Sequence, residues 1–418
     1  MAFIENLPDL SMLAVFANIW QPSKMKTRIV PFVIISFLLT FSPLTHAQTG
    51  KWASLNAEAK SHYQNGRYDQ ATVLVQEALE IAEKEWGADH PNVAQTLNNL
   101  GLIFQGQGEY AQAEPLYKRA LVIWEKTLGS DNPAVAKGMN NLAELYRAEG
   151  RYTEAEFLYK RSLAIWEKKL GQDHPDVATS LNNLALLYKI QGHYAQAEPL
   201  YRRSLAIWEK SAGPNHPDVA ISLNNLAGLY RAQGNYAEAE PLYNRSLTIW
   251  EQVFGPSHPS VAKGLNNLAE LYTAEGNFTL AKPLFKRSLA INEEALGSDH
   301  PNVATTLNNL GELYYAEGKY EIAIPLFERS LAIWEKALGL DHPHVALSLN
   351  NLAKLYEAQE RYAEAEPLFI RSLSVLERAF GNKHPNVISS LNNVAEFYRK
   401  SGREIEAAAV ERRISAAE

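Results

Sequence analysis

The strongest constraint on this chain is a period. His-Pro recurs at His90, His174, His216, His258, His300, His342 and His384, and Asn132-Pro133 stands where a further copy belongs. The step is 42 residues throughout, with no insertion. A glycine keeps the same step at Gly66, Gly108, Gly150, Gly192, Gly234, Gly276, Gly318 and Gly402, interrupted only by Glu360. An alanine keeps it from Ala71 to Ala407 without exception. A chain of 418 residues would ordinarily divide into several domains. A strict repeat instead means stacked units that share one continuous core.

One unit reads physically from Pro91. Proline at a first helical turn costs nothing, because the N–H it lacks has no partner there. Leu97, Leu100, Gly101 and Phe104 then fall at i, i+3, i+4 and i+7, a buried helical stripe. Gly108 ends that helix. A second helix starts near Tyr110, with Tyr110, Ala113, Tyr117, Ala120, Leu121 and Trp124 on one face, and Gly129 closes it. Pro115, Pro199, Pro241, Pro283, Pro325 and Pro367 sit inside this second helix, where each removes a hydrogen bond and adds a mild bend. Each unit is two antiparallel helices joined by a tight turn.

The spacing of the small residue at 101 with Phe104, Ala113, Tyr117 and Ala120 resembles the tetratricopeptide repeat. The period of 42, with "HPxVAxxLNNLAxLY" and "YxEAExLYxRSLxIWE", is similar to the longer variant of that repeat found in kinesin light chains and many bacterial proteins. The resemblance implies an all-α fold: a right-handed superhelical solenoid of about nine antiparallel helix pairs over residues 51–418. The heptad coiled coil that precedes the repeats in kinesin light chains has no counterpart here. In the end copies, Glu58 and His62 replace buried-stripe residues and Glu404 and Glu411 replace aromatics. Terminal units of a solenoid face water and need such polar caps.

Asparagine is a mediocre helix former, yet "LNNLA" appears four times, from Leu181, Leu223, Leu265 and Leu349. On a helical wheel Asn98 and Asn99 lie about 100° and 200° from Leu97, both off the buried stripe. Together with the places of Gln95, Leu102 and Gln105 they mark the face that lines a continuous concave groove when first helices stack. In related repeats, asparagines at the second of these places hold the backbone of an extended peptide. That resemblance selects Asn99, Asn141, Asn183, Asn225, Asn267, Asn309, Asn351 and Asn393 as groove residues. A carboxamide donates and accepts at once, which suits a peptide unit of any side chain. The other reading is that one or both asparagines of a pair tie neighbouring helices together.

Choice of partner must come from groove positions that vary between copies. At the place of Gln105 the chain reads Arg147, Lys189, Arg231, Thr273, Tyr315, Glu357 and Arg399, and Lys137 and Lys263 stand at the place of Gln95. Five cations thus mark the middle copies, while Glu270, Glu312, Glu357 and Glu396 make the later ones more acidic. The pattern suggests a peptide partner with acidic residues at one end. The alternative is solvated charge, with Glu144 pairing Arg147 along the same helix.

The N-terminus carries a separate signal. From Met25 a basic stretch, Lys26 and Arg28, precedes an apolar run from Ile29 to Phe41 and then Thr45-His46-Ala47. This reads as a signal peptide over 25–47 cut before Gln48, with 1–24 a possible non-native extension and the remainder periplasmic or secreted. A membrane anchor at 29–44 is the competing reading. Thirteen residues at about 1.5 Å each fall short of a ~30 Å hydrocarbon core.

The remaining composition narrows function by exclusion. A net charge of -7 gives no electrostatic reason to bind nucleic acid. The absence of cysteine removes thiolate catalysis, disulfides and zinc-cysteine sites. The repeated histidines would stand about 8–10 Å apart in a stack, too far for one metal ion, and read as caps. Trp124, Trp166, Trp208, Trp250 and Trp334 share one place and read as packing. No nucleophile-base pair, phosphate loop or paired-carboxylate site is present, so the expectation is a non-enzyme without cofactor or metal. The chain reads as an extracytoplasmic scaffold or adaptor that binds protein segments in its groove. A structural part of an envelope complex, meeting partners by its convex face or ends, is the second reading. The sequence leaves the oligomeric state open.

Overall fold

The computed structural model describes residues 43–417, and these form 18 helices with no strand among them. The first helices of successive pairs are α1 (Pro43–Gln64), α3 (Pro91–Gly106), α5 (Pro133–Ala148), α7 (Pro175–Ile190) and α9 (Pro217–Ala232). They continue as α11 (Pro259–Ala274), α13 (Pro301–Ala316), α15 (Pro343–Ala358) and α17 (Pro385–Lys400). The second helices are α2 (Tyr68–Trp86), α4 (Tyr110–Leu128), α6 (Tyr152–Leu170), α8 (Tyr194–Ala212) and α10 (Tyr236–Phe254). The set closes with α12 (Phe278–Leu296), α14 (Tyr320–Leu338), α16 (Tyr362–Phe380) and α18 (Glu404–Ala417). Nine antiparallel pairs stack as a right-handed α-solenoid.

The His-Pro punctuation is a helix start. His90 is the N-cap of α3 and its Nδ1 accepts the Asn92 N–H at 3.1 Å, with Pro91 in the first turn. Asn132 fills the same role because its Oδ1 accepts the Ala134 N–H at 2.9 Å. The two residue types exchange because the position needs an acceptor, not an imidazole. The turn between helices closes where Gly108 adopts φ 77° and the Glu109 N–H donates to the Phe104 carbonyl at 2.8 Å. That conformation favours glycine, and Glu360 holds it at φ 59°.

Small residues let the helices of a pair approach. Ala113, Ala155, Ala197, Ala239, Ala281, Ala323 and Ala365 are wholly buried, with Tyr117, Tyr159, Tyr201, Tyr243, Phe285, Phe327 and Phe369 beside them in the core. Serines stitch the pairs polarly: Ser162, Ser204, Ser288, Ser330 and Ser372 each donate to a first-helix carbonyl at 2.7–2.8 Å. Helix α6, with Phe157 at the proline place, has the same 19 residues as proline-bearing α4, so the proline does not shorten the helix. At the ends, Glu58 and Glu404 are exposed and His62 and Glu411 half-buried, as polar caps require. The possible extension at 1–24 and the signal reading at 25–47 lie outside the described residues, except that 43–47 begin α1. No helix among the described residues is long and apolar enough to cross a membrane.

Successive turns of the superhelix touch. His384 Nε2 lies 3.1 Å from the Ala148 carbonyl, 236 residues away in sequence. Tyr110 stacks on Phe380 with ring centroids 5.6 Å apart. The turns at Gly66, Gly108 and Gly150 face Pro301, His342-Pro343 and His384-Pro385 respectively. Each contact joins a turn in one pair to the cap that opens the sixth pair onward, so one superhelical turn holds about six pairs.

Candidate functional site

The asparagine pairs form a ladder between repeats. The second asparagine of each pair donates from Nδ2 to the first asparagine of the preceding repeat. These bonds are Asn141 to Asn98, Asn183 to Asn140, Asn225 to Asn182, Asn267 to Asn224, Asn309 to Asn266, Asn351 to Asn308 and Asn393 to Asn350, at 2.9–3.3 Å. Asn99 reaches Asn56 in the same way at 2.8 Å. The tie between neighbouring helices is therefore present at every rung, and it accounts for a poor helix former recurring inside helices. Each rung is a partly or wholly buried polar bond that fixes the register of one repeat on the next.

The ladder changes along the chain. Asn141, Asn183 and Asn225 are buried, while Asn99, Asn267, Asn309, Asn351 and Asn393 are half-buried. In two of the later repeats a carboxylate joins the rung. Glu270 accepts from Asn266 at 2.7 Å and from Asn309 at 2.6 Å. Glu312 accepts from Asn308 and from Asn351, both at 2.8 Å. A carboxylate only accepts when ionised, so it pins both amide groups toward itself and fixes which way the carboxamides point. Burial pushes the Glu312 carboxyl up from its ordinary value, with the two asparagine bonds opposing.

The five cations of the middle repeats do not share one environment. Arg147 is buried and held by both oxygens of Glu144, its Nε at 3.0 Å. The expected pairing along the helix exists, but inside the molecule and not in solvent. Tyr159 also donates to Glu144, at 2.6 Å. Burial alone would raise the Glu144 carboxyl; the Arg147 guanidinium, followed by hydrogen bonds from Arg147 and Tyr159, carries it below the usual value. In the preceding repeat Tyr117 donates to Gln105 at 2.8 Å, so the inner face of the second and third pairs is filled by its own polar side chains. Arg231 pairs with Glu270 at 3.1 Å. Lys137 is exposed, and Lys189 and Lys263 are half-buried.

The later repeats stay more open on this face. Glu270, Glu312, Tyr315, Lys354, Glu357 and Glu396 are half-buried. Lys400 reaches Glu396 at 2.8 Å and Glu357 at 3.4 Å. Burial raises the Glu357 carboxyl, partly offset by Lys400, and lowers the Lys354 ammonium, partly offset by Glu396, Glu357 and Glu312. Sequence reasoning marked these acids by position but did not place Lys354 and Lys400 among them.

The other recurring residues are structural. Trp124, Trp250 and Trp334 are buried in the core and Trp166 and Trp208 pack against it. A Cβ on Gly138 or Gly264 would come within 2.8 or 3.0 Å of the Trp124 or Trp250 ring, so those glycines make room for the indoles. Among the described residues no three His, Asp or Glu side chains are placed to hold a metal ion.

Stacked helix pairs around a continuous inner face define an α-helical repeat protein. The tetratricopeptide repeat profile matches residues 53–126, 93–168, 135–210, 176–252, 218–294, 260–336, 304–367 and 344–417. The chain belongs to the tetratricopeptide repeat family, in its 42-residue kinesin-light-chain-like form. Among solved structures it is similar to nearly identical TPR-like repeats of a putative kinesin light chain from Podosopora anserina. That match has 30% identity over 49% of this chain and 97% of the other, with a TM-score of 0.41. A Rap protein complexed with Competence and Sporulation Factor matches at 16% identity over 81% and 99% of the two chains, TM-score 0.53. The apo quorum sensor NprR of B. thuringiensis matches at 15% identity over 90% and 99%, TM-score 0.53. No curated protein matches the chain.

Proposed function

We propose that this chain is a non-catalytic scaffold that binds protein segments along its concave face, outside the cytoplasm. The observation that carries the reading is the contrast along that face. In the second and third pairs Gln105, Glu144 and Arg147 are buried and bonded to one another or to core tyrosines. From the sixth pair on, the equivalents of Gln105 are Thr273, Tyr315, Glu357 and Arg399, which are half-buried or exposed and differ from copy to copy. A face whose fold-bearing rungs are constant and whose neighbours vary suits recognition of an extended partner. The factor-bound Rap complex and the quorum sensor NprR, similar in fold, support the same class of role.

The asparagines contribute mainly by holding the face in register, since their Nδ2 groups are spent on neighbouring repeats. Arg147 and Arg231 pair with Glu144 and Glu270, and we take the partner segment to be of mixed charge, with its acidic end toward exposed Lys137. The extracytoplasmic location rests on the basic and apolar residues from Lys26 to Phe41. A second reading, contact by the convex face, is favoured by Leu280 and Ile322, which occupy one position in neighbouring repeats at 46% and 47% exposure.

A crosslinked pull-down from the extracytoplasmic fraction tests the proposal. Wild type is compared with Lys263→Glu/Tyr315→Ala and with Leu280→Ser/Ile322→Ser, after circular dichroism confirms equal helix content. A partner lost only in the first variant supports the concave face. A partner lost only in the second moves function outward and refutes the proposal.

A further inference from the structure

The contacts between successive superhelical turns are few, and they recur at one modular position. A turn glycine in an early pair meets the His-Pro cap of a late pair. Ideal Cβ atoms show how closely. On Gly108 a Cβ would lie 2.9 Å from His342 Cδ2 and 3.2 Å from Pro343 Cδ; on Gly150, 2.9 Å from His384 Cδ2 and 3.0 Å from Pro385 Cδ. At Gly192, Gly234, Gly276 and Gly318 nothing lies within 4 Å. The first two touch rigid rings across the seam; the last four occupy turns with no later pair to meet. Glu360, the residue that departs from glycine, also lies in a turn outside the seam.

Burial follows the same division. His342 and His384 are buried, whereas His90, His174, His216 and His258 are half-buried at the same place in their repeats. Tyr110 is 2% exposed because Phe380 covers it, while Tyr152, Tyr194 and Tyr236 are half-buried. Along the stack, by contrast, each repeat joins its neighbours through a continuous core, the asparagine rung and ion pairs. A thin seam beside a thick stack opens first.

We infer that the seam between the second and third pairs and the eighth and ninth is a latch, which sets the pitch of the superhelix and opens as a unit while every repeat stays folded. Closed, it shuts the gap between turns, so a partner segment reaches the inner face only along the superhelical axis. Open, it admits a segment from the side. This consequence rests on the concave-face reading proposed above; the latch itself does not.

The His384 ring is well placed to be its pin. Its Nδ1 accepts the Asn386 N–H at 3.0 Å, its Nε2 faces the Ala148 carbonyl, and its ring stacks on Phe380 at 4.1 Å. One neutral imidazole thus caps α17 and bridges to α5 together.

Small-angle X-ray scattering on the protein without ligand decides the matter. The seam variant is Gly108→Ala/Gly150→Ala, and the control is Gly192→Ala/Gly234→Ala. All four glycines have φ between 73° and 77°, so backbone strain is matched and only the seam contact differs. The expected result is a longer maximum dimension for the seam variant alone, with helix content unchanged. Equal dimensions for both variants, whether lengthened or not, overturn the inference. Should the seam variant lose helix, Phe380→Leu, which places the leucine of Leu338 at this position, removes the Tyr110 stack instead. A lengthened Phe380→Leu protein then supports the latch and an unchanged one refutes it. Because no ligand is used, the outcome is independent of whether the concave face binds a segment.

Discussion

Removal of Asn351 should be a costlier cut in the asparagine ladder than removal of Asn393. Its Nδ2 donates to Asn308 Oδ1 at 3.1 Å and to Glu312 Oε1 at 2.8 Å, whereas Asn393 donates only to Asn350 at 2.9 Å. A neutral hydrogen bond contributes about 1 kcal/mol net and one to a charged group about 1.5–3, so Asn351→Ala should cost about 2.5–4 kcal/mol and Asn393→Ala about 1. Burial already raises the Glu312 carboxyl, and loss of Asn351 removes one of the two hydrogen bonds that oppose that push beside the charges of Lys354 and Arg231. A repeat array need not unfold in one step, so the assay is native-state hydrogen exchange across α13 and α15, with urea midpoints alongside. A double-mutant cycle of Asn351→Ala with Glu312→Gln isolates the charged bond and should give a coupling of at least about 1 kcal/mol. If Asn351→Ala costs no more than Asn393→Ala, or the coupling falls below about 0.3 kcal/mol, the carboxylate does not brace the ladder.

Three further outcomes follow from the same geometry. His384 has its pKa lowered by burial to about 4. It is therefore neutral when folded, and its contribution is fully present above about 6.5 and lost as pH falls toward 4. His384→Asn keeps an acceptor cap, as Asn132 does, and should flatten the pH dependence of exchange in α17 between those values, by up to about 3 kcal/mol across the range. Tyr159→Phe removes a buried donor to Glu144 and should cost about 1.5–3 kcal/mol by urea midpoint. Ser257→Asp/Glu294→Lys would build the outer ion pair that the following repeat makes between Lys336 and Asp299; so exposed a pair should leave the thermal midpoint unresolved from wild type and insensitive to 1 M salt.

Much of this architecture is written in the spacing. The helix pairs start at Pro91 and Tyr110 where the periodicity places them, and His-Pro works as a cap because the chemistry of a first turn demands an acceptor. The asparagines were readable as surface or tie but not as one or the other, since a wheel gives direction and not the partner one repeat away. The seam was out of reach for a different reason. It arises from small rotations summed over six nearly identical pairs, and no residue in the turns at Gly108 or Gly150 announces it. Arg147 looked like the lysines and arginines at its equivalents, and only the arrangement around Glu144 and Tyr159 shows that it is enclosed. One signal was available and overlooked. Lys126, Lys168, Lys210, Lys336 and Arg378 pair with Asp89, Asp131, Asp173, Asp299 and Asp341. Where the acid becomes Asn215 or Ser257, the cation becomes Gln252 or Glu294. Loss of both partners together marks a contact within a single sequence.

The asparagine ladder gives each unit a head that gives and a tail that receives. Every internal unit therefore offers the same joint to its neighbours, and a copy inserted or deleted at a His-Pro boundary between the capped ends would find both of its joints already cut to shape. A gene of this kind changes length one whole unit at a time without mending a single interface. Its reach around a partner is thus an easily adjusted dimension, set by how many copies the array retains.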